Sequence, residues 1–231
     1  MTIRQKYLQG SDFSVPVAFL ANGFGMAIAV VTVDRKTIIA RRHDTTGVRV
    51  GEVDVAVVEG VHPNLDWSTV YKGPDLYRTA IRGAREELGI ELLQDSITLL
   101  GFGVDAQYYQ WNLVGLAVVD ETAESIIESR KRGAPGKWEL KSLEPIDFDP
   151  EAILSFIRRE KIWSTGIATL YFALVRYYGR SQVRGRLRGC LQNSVYRELP
   201  NHGMKAGHAS LAPLARTNSG KHPLFAFPEV V

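Results

Sequence analysis

The sequence predicts an α+β domain built on a mixed β-sheet, and three observations lead to that prediction. Apolar residues make up 45% of the 231 residues, which is enough for a sizeable buried core. Several segments have the composition and alternation of strands, whereas fewer have the 3.6-residue period of helices. The two kinds of segment do not alternate strictly, as a parallel βαβ fold would require, so the sheet is expected to be mixed.

The first part of the chain is predicted to be mostly β-strand. Asn22-Gly23 lies between two apolar runs of strand length, a pattern typical of a hairpin turn, and it interrupts a run that otherwise resembles the core of a secretion signal. A second hairpin is predicted over residues 25–44, with its turn at residues 34–36. Residues 48–60 alternate with one slip at Gly51-Glu52, which indicates a β-bulge. Residues 61–74 have no period and are predicted to form a loop.

One helix is predicted over residues 76–88. Asp75 can cap its N-terminus and Gly89 can end it. Its apolar stripe consists of Leu76, Ala80, Ala84 and Leu88. Gly83 stands in the middle of this helix, where glycine costs about 1 kcal/mol relative to alanine. A glycine at such a position, with no cap or turn to explain it, indicates a packing or functional reason.

The second part of the chain is predicted to add three strands and two helices. The strands are residues 96–105, 107–120 and 138–148, with an acidic segment at residues 121–128 and a turn-rich stretch at residues 131–137. The helices are residues 149–160, which begin with Asp-Pro, and residues 163–180, which are apolar and amphipathic. Residues 1–179 are therefore predicted to form one domain.

Residues 180–231 are predicted to form a basic C-terminal extension that is partly irregular. The whole chain has a formal charge of +3, but the extension carries eight Lys and Arg against two Glu. A basic extension can contact nucleic acid, but without a recognisable nucleic-acid fold this partner is the less favoured one. No segment is long enough to span a membrane. The single cysteine, Cys190, excludes an internal disulfide, so a cytoplasmic location is expected.

The stretch "AIRGAREELGI" at residues 80–90 resembles the Nudix box, whose pattern is Gly, five residues, Glu, seven residues, then Arg-Glu-apolar-any-Glu-Glu-any-Gly-apolar. The matching residues are Arg82, Ala84, Glu86, Glu87, Gly89 and Ile90. Gly83 stands in place of the first Glu of the box, and Pro74 and Ser68 stand where the pattern has its upstream Glu and Gly. Glu59-Gly60 closes a strand as the family's Gly-rich turn does, which implies an insertion of eight residues before the helix. The resemblance implies a Nudix-like α/β/α sandwich and a Mg²⁺-dependent (or Mn²⁺-dependent) hydrolase.

The chemistry of the box can be stated without the resemblance. Helix positions 83, 86 and 87 are neighbours, so carboxylates there would form one oxygen-rich face for a hard cation such as Mg²⁺. Because position 83 is glycine, only Glu86 and Glu87 remain, and Gly83 would leave room on that face for ligand or water. Two carboxylates can still hold Mg²⁺ when phosphate and water supply its other ligands. On an ordinary solvated helix, by contrast, Arg82 and Glu86 would be no more than a surface ion pair.

Glu59 is the preferred residue to complete this site. The resemblance implies that it lies at a strand end facing the box helix, so it is expected to serve as the third metal ligand or as the base, with Glu86 and Glu87 as the other ligands. Glu87, Glu59 and Arg82 are the predicted catalytic residues, and Arg82 is expected to orient the carboxylates. Other acidic residues that could complete the site are Glu52, Asp54 and Asp75. An exposed carboxylate at a strand end is the alternative interpretation of Glu59.

Substrate contacts are predicted from a basic strand end and from aromatic residues. Arg41 and Arg42 end a strand near the expected substrate position, so they can contact phosphate, although such a run is more often solvated. Tyr109, with Tyr108 and Trp111, could stack on a base, although alternating aromatic residues are more often half-buried core. The predicted ligand is nucleotide-like.

Two functions are compatible with these residues. The first is a Mg²⁺-dependent hydrolase of a nucleoside diphosphate linked to another group, which Glu86 and Glu87 favour. The second is a Nudix-fold sensor or regulatory protein that binds a nucleotide-like ligand without hydrolysing it, which Gly83 favours. A homodimer is one expectation for either, because dimers are the commonest soluble oligomers.

Overall fold

The computed structural model describes residues 23–44, 50–105, 110–136 and 140–187 and the backbone of residues 225 and 226. Its strands in chain order are β1 (Phe24–Val31), β2 (Lys36–Arg42), β3 (Val53–Val55), β4 (Val57–Gly60), β5 (Trp67–Ser68), β6 (Gly73–Pro74), β7 (Ile97–Asp105), β8 (Gln110–Val118), β9 (Leu140–Asp147) and β10 (Phe225–Ala226). Its helices are α1 (Leu76–Leu88), α2 (Ala123–Gly133), α3 (Pro150–Arg159) and α4 (Ser164–Tyr178), and residues 180–187 are also helical.

Eight of the strands form one sheet, in which β10, β7, β8, β1, β2 and β3 follow one another, β4 pairs with β1 and β9 pairs with β2. β1 runs parallel to β8 but antiparallel to β2 and β4, so the sheet is mixed. The ladders align the start of β1 with the end of β4 and the start of β8. One end of the sheet therefore gathers residues that are distant in sequence.

Two separate cores lie on the two faces of the sheet. Residues of α1 and α2 pack with Met26, Ile28 and Val30 on one face. Residues of α3 and α4 pack with Ala27, Ala29 and Val31 on the other. Successive residues of a strand point to opposite faces, so β1 contributes to both cores. This α/β/α arrangement confirms the predicted fold class.

Helix α1 follows its prediction closely. The Asp75 carboxylate accepts a hydrogen bond from the backbone N–H of Tyr77 at 3.0 Å, as an N-cap does. Gly89 ends the helix with φ of 71°, a conformation that glycine adopts at little cost. Ala80, Ala84 and Leu88 are fully buried.

The irregularity predicted at Gly51-Glu52, in the strand of residues 48–60, lies at a different position in the structure. Gly51, with φ of 67°, belongs to a turn before the strand, and the irregularity falls at Ala56 between β3 and β4. Ala56 and Val57 are consecutive yet both belong to the core beneath α1. The strand changes partner here, since β3 pairs with β2 whereas β4 pairs with β1. Alternation alone does not reveal such a change.

Two other segments contain secondary structure that was not predicted, and a third lies outside the described residues. The predicted loop at residues 61–74 contains the small β5–β6 hairpin, and the acidic segment at residues 121–128 begins α2. The strand predicted before Asn22-Gly23 lies outside the described residues. Within the part of the chain that the structure describes, the helices are all too short or too polar to cross a membrane.

Candidate functional site

Arg82, on the second turn of α1, binds carboxylates from three different parts of the chain. Its Nη1 lies 3.0 Å from Glu59 Oε1 on β4 and 3.6 Å from Glu86 Oε2 one turn further along α1. Its Nε and Nη2 each donate to Asp66 at 2.9 Å, and Nη2 also donates to the Gly60 carbonyl at 2.8 Å. The planar guanidinium suits such paired contacts. We call Arg82, Glu59, Asp66 and Glu86 the Arg82 cluster.

Asp66 is the most buried acid of the Arg82 cluster, with 1% of its side chain exposed. Besides Arg82, it accepts hydrogen bonds from the Thr79 hydroxyl at 2.9 Å and from the His62 backbone N–H at 2.8 Å. Burial raises the pKa of Asp66, but the donors together outweigh burial and leave this pKa below its ordinary value. Asp66 is therefore a charged group that fixes Arg82 and the loop of residues 61–74.

Glu59 lies opposite Met26 in the β1–β4 ladder, on the face of the sheet that α1 covers. Its Oε1 also accepts a hydrogen bond from the Gly60 N–H at 2.9 Å. Burial raises the pKa of Glu59, and the nearby charge of Glu86 raises it further, whereas Arg82 acts in the opposite direction; the net pKa lies above the ordinary value. The cluster contains three carboxylates and one guanidinium, so its field attracts a further cation.

Gly83 packs against β4 rather than facing open space. A Cβ atom at position 83 would lie 2.8 Å from Glu59 Cβ, 3.3 Å from Glu59 Cγ and 3.1 Å from Val57 Cγ1. The expectation that Gly83 leaves room for ligand or water is therefore wrong, because the side chains of β4 fill that space. The glycine allows α1 to approach β4 closely.

The two acids of the box have different environments. Glu86 keeps 39% of its side chain exposed and borders a surface groove of about 420 Å³, which Leu65, Ile81 and Arg82 also line. Glu87 is buried, and its charge raises the pKa of Arg130 on α2, against the stronger lowering caused by burial. The structure thus brings Glu59 and Glu86 together on Arg82, while Glu87 acts on a different cation.

Two carboxylates of the Arg82 cluster are suitably placed to be ligands of a divalent cation. Among the residues that the structure describes, no three His, Cys, Asp or Glu side chains form a metal-binding group. Glu59 and Glu86, however, both approach the same nitrogen of Arg82. Two carboxylates fit Mg²⁺, which keeps several waters and takes few protein ligands when phosphate is present.

The structure does not bring Arg41 and Arg42 to the Arg82 cluster. Arg41 pairs with Val53 in the ladder, at the opposite end of the β3–β4 segment from Gly60. Its guanidinium binds Glu160 at 2.9 Å and the Gly51 carbonyl at 3.2 Å. Tyr109 lies outside the described residues.

The other acidic residues considered for the site also lie elsewhere. Asp75 caps α1, and Glu52 forms an ion pair with Lys161 at 2.6 Å. Asp54 is buried, and its carboxylate lies against Gly166 of α4, so it packs against a different helix from the one that carries Arg82.

Sequence reasoning missed Asp66 and two aromatic residues beside the site. Phe102 stacks on Trp111 with ring centroids 5.1 Å apart and planes 8° apart, and it meets Phe24 edge to face at 5.8 Å. All three lie on the face that α1 covers, since Trp111 is the ladder partner of Phe24, and Phe102 is the ladder partner of Leu113. The only available signal was the period-two spacing of Trp111 and Leu113; no local pattern indicates which strands become neighbours.

Neither a protein-family model nor a curated protein sequence matches the chain. Solved structures similar to it include a MutT protein from Methanosarcina mazei Go1, at 10% identity over 70% of this chain and 99% of that chain, with a TM-score of 0.48. The NUDIX domain of Shewanella oneidensis NrtR, solved with ADP ribose, is similar at 15% identity over 81% of this chain and 99% of that chain, with a TM-score of 0.46. A MutT NUDIX hydrolase from Burkholderia pseudomallei is similar at 16% identity over 66% and 98%, with a TM-score of 0.44.

Proposed function

We propose that the chain is a metal-dependent hydrolase of the Nudix type that acts on a nucleoside diphosphate linked to another group. The observation that carries this proposal is the relation between Gly83 and Glu59. The side chain of Glu59 fills the space beside Gly83, and its carboxylate shares a nitrogen of Arg82 with Glu86. The carboxylate that α1 lacks at position 83 is therefore supplied from β4.

The residues of the Arg82 cluster have separate roles in this proposal. Glu59 and Glu86 would hold Mg²⁺ or Mn²⁺, and the substrate phosphates and water would complete the coordination. Glu87, which was predicted as a ligand, acts on Arg130 instead. When bound, the metal neutralises phosphate charge and activates a water for attack at phosphorus. Arg82 orients Glu59 and Glu86, and Asp66 fixes Arg82. Glu59 would serve either as this ligand or as the base that accepts a proton from water.

The test is release of phosphate or nucleoside monophosphate from dinucleotide polyphosphates, nucleotide sugars and nucleoside triphosphates, with Mg²⁺ or Mn²⁺. Glu86→Gln is the informative variant, because the partial exposure of Glu86 makes the fold tolerant of the change. Glu91→Gln is the matched control, since Glu91 is an exposed acid that binds Arg85 outside the Arg82 cluster. We expect turnover by the wild type and the control, and at least a hundredfold loss in Glu86→Gln.

A second function, nucleotide binding without hydrolysis, is favoured by one observation. The Arg82 guanidinium already provides a cationic partner for Glu59, Asp66 and Glu86, so each of these carboxylates has a positive partner without a metal. Saturable binding of a nucleotide with no turnover of any substrate would overturn the hydrolase proposal and support a sensor. Turnover lost equally in Glu86→Gln and Glu91→Gln would also contradict the assignment of the site.

A further inference from the structure

His62 closes the turn that carries Asp66. The Asp66 N–H donates to the His62 carbonyl at 3.0 Å, and the His62 N–H donates to the Asp66 carboxylate at 2.8 Å. Between these two residues, the N–H groups of Asn64 and Leu65 both donate to Nδ1 of the His62 imidazole, at 3.2 and 3.1 Å. We call residues 62–66 the His62 turn.

The imidazole acts on this turn as an N-cap side chain acts on a helix. An N-cap side chain accepts from the N–H groups two or three residues further on, and these are the two positions that donate to His62. Pro63 occupies the position before them, where proline leaves no N–H unsatisfied. An imidazole nitrogen that accepts hydrogen bonds carries no proton, so neutral His62 has its proton on Nε2. The two N–H groups therefore have this acceptor only while His62 is neutral.

The His62 turn is connected to the Arg82 cluster through Asp66. The Asp66 side chain is 1% exposed and accepts from Arg82 Nε and Nη2, each at 2.9 Å. Arg82 in turn brings Glu59 and Glu86 to one of its nitrogens, Nη1. A displacement of Asp66 therefore displaces Arg82, and with it the two carboxylates that are the proposed metal ligands.

Charged groups lie around the His62 turn on two elements as well as within it. They are Asp66 in the turn, Glu59 at the end of β4, and Arg78, Arg82 and Glu86 on α1. Burial raises the pKa of Asp66, but its donors outweigh burial and leave this pKa below its ordinary value, so Asp66 stays charged in mild acid. Burial leaves the pKa of Glu59 above its ordinary value, so Glu59 can gain a proton there. His62 is exposed to water, and histidine is the side chain that ordinarily changes its charge between about pH 5 and 8.

We infer that His62 is a positioning residue, whose neutral imidazole holds the His62 turn and the Arg82 cluster in this arrangement and whose protonation loosens both. A proton on Nδ1 turns the acceptor into a donor, so the N–H groups of Asn64 and Leu65 lose their partner. The inference deepens the proposed function and rests on it only for the effect on turnover. The effect on Arg82 does not depend on any ligand.

The experiment follows the Arg82 Nε–H signal by NMR in the full chain, without metal or nucleotide. This N–H donates to Asp66 Oδ1 at 2.9 Å, so its protection from exchange, relative to free arginine at the same pH, reports how firmly Asp66 holds Arg82. His62→Asn is the informative variant, because asparagine Oδ1 lies as many bonds from Cα as histidine Nδ1 and accepts hydrogen bonds but does not titrate. Between about pH 7.5 and about pH 5.5, we expect the protection factor to fall at least fivefold further in wild type than in His62→Asn. Glu59 titrates in both proteins, so the comparison isolates His62.

Two further variants complete the comparison. His62→Ala removes the acceptor at every pH, so its Arg82 signal should be at least fivefold less protected than that of the wild type near neutral pH. His43→Asn is the matched control, since His43 follows the end of β2, away from the Arg82 cluster, and should behave as the wild type. Equal falls in wild type and His62→Asn would overturn the inference, and so would a His62→Ala variant as well protected as the wild type.

Turnover over the same pH range separates this inference from the hydrolase proposal. His62→Asn should restore the turnover that His62→Ala lacks near neutral pH, and in mild acid it should lose at least fivefold less activity than the wild type. A protein that shows the Arg82 response but hydrolyses nothing would refute the hydrolase proposal alone. Turnover with the same acid dependence in wild type and His62→Asn would refute the positioning role of His62 alone.

Discussion

Among single residues, the three carboxylates that bind Arg82 differ widely in burial. The exposed fraction of the side chain is 1% for Asp66, 19% for Glu59 and 39% for Glu86. Solvent screens an exposed ion pair, so the removal of one partner costs little stability. Removal of one partner from a buried ion pair costs more stability, because the other charge stays buried without its partner. The three acids should therefore contribute very differently to the stability of the fold, although all three contact the same guanidinium.

Asp66→Asn is expected to destabilise the protein by about 3 kcal/mol at pH 7, because Arg82 loses its bidentate partner in a buried setting. Glu86→Gln should cost at most about 1 kcal/mol. The folded-state pKa of Asp66 lies below its ordinary value, so its contribution is present above the unfolded pKa of about 3.9 and is lost as pH falls through the folded pKa. Urea unfolding at pH 7 and near pH 2 measures the difference between wild type and Asp66→Asn.

The difference in unfolding free energy between wild type and Asp66→Asn is expected to be smaller near pH 2 than at pH 7. A gap of the same size near pH 2, or an Asp66→Asn variant as stable as Glu86→Gln, would contradict the assignment of Asp66 as the buried charged partner of Arg82.

At the scale of elements, the packing of α1 on β4 depends on the absence of a side chain at position 83. The closest atom to an added Cβ is Glu59 Cβ, which is fixed to the strand backbone and cannot rotate away. Either α1 or β4 must shift to accept even a methyl group. Glycine at position 83 costs about 1 kcal/mol in helix propensity. Its lack of a side chain allows α1 to approach β4 so closely that Arg82 lies beside Glu59.

Gly83→Ala is expected to destabilise the protein by about 1–3 kcal/mol, since overpacking outweighs the gain in helix propensity. Gly133→Ala is the control, because an added Cβ at the last position of α2 meets nothing within 4 Å and should be neutral or slightly stabilising. Urea unfolding of both variants makes the comparison. Equal free energies for the two variants would mean that α1 does not rest on β4 through Gly83.

The sequence predicted α1 well because its cap, stripe and terminating glycine are local signals. It predicted Arg82 and Glu86 as neighbours for the same reason, since they are four residues apart on one helix. It did not predict Asp66 as the main partner of Arg82, because the loop of residues 61–74 has no period to show where a side chain points. It did not predict Phe24 and Phe102 beside Trp111 either, because the neighbours of a strand are set by the whole sheet.

The acidic residues 121–128 illustrate a different difficulty. They begin α2, whose N-cap is Thr122 and which buries only Ala123 and Ile126 among its described residues. A helix with so few buried residues has a weak apolar stripe, and its composition is equally typical of a solvated loop. Its packing against α1 therefore depends on the tertiary structure more than on a local pattern.

For the whole molecule, α4 and the segment before it join parts of the sheet that are distant in sequence. Asp105, at the end of β7, accepts hydrogen bonds from Trp163 Nε1 at 2.6 Å and from the Ser164 hydroxyl. The Trp163 N–H donates to the Val53 carbonyl at 3.1 Å. The start of α4 is thereby attached to both β3 and β7, so the core that contains α3 and α4 depends on how the chain continues after β9.

Val183 extends that second core past the predicted domain boundary at residue 179. It is fully buried and packs with the α4 side of the sheet, while the residues on either side of it in the helical stretch 180–187 are exposed. Its N–H donates to the Gly179 carbonyl at 3.3 Å, which continues the chain from the end of α4. Val183 therefore attaches this basic stretch to the body, together with an exposed ion pair between Arg186 and Glu151 at 3.7 Å.

Two truncated chains measure where the folded body ends, one ending after Gly179 and the other after Leu187. Both lack residues 188–231, so their difference reports the stretch 180–187 alone. We expect the longer chain to be more stable by about 1.5–3 kcal/mol, which is the value of burying one valine, as measured by urea unfolding. Val183→Ser in the longer chain should remove most of that difference, since it keeps the length and the charges but not the apolar contact. Identical unfolding midpoints for the two truncated chains would instead place the boundary at residue 179, with Val183 contributing nothing to the stability of the body.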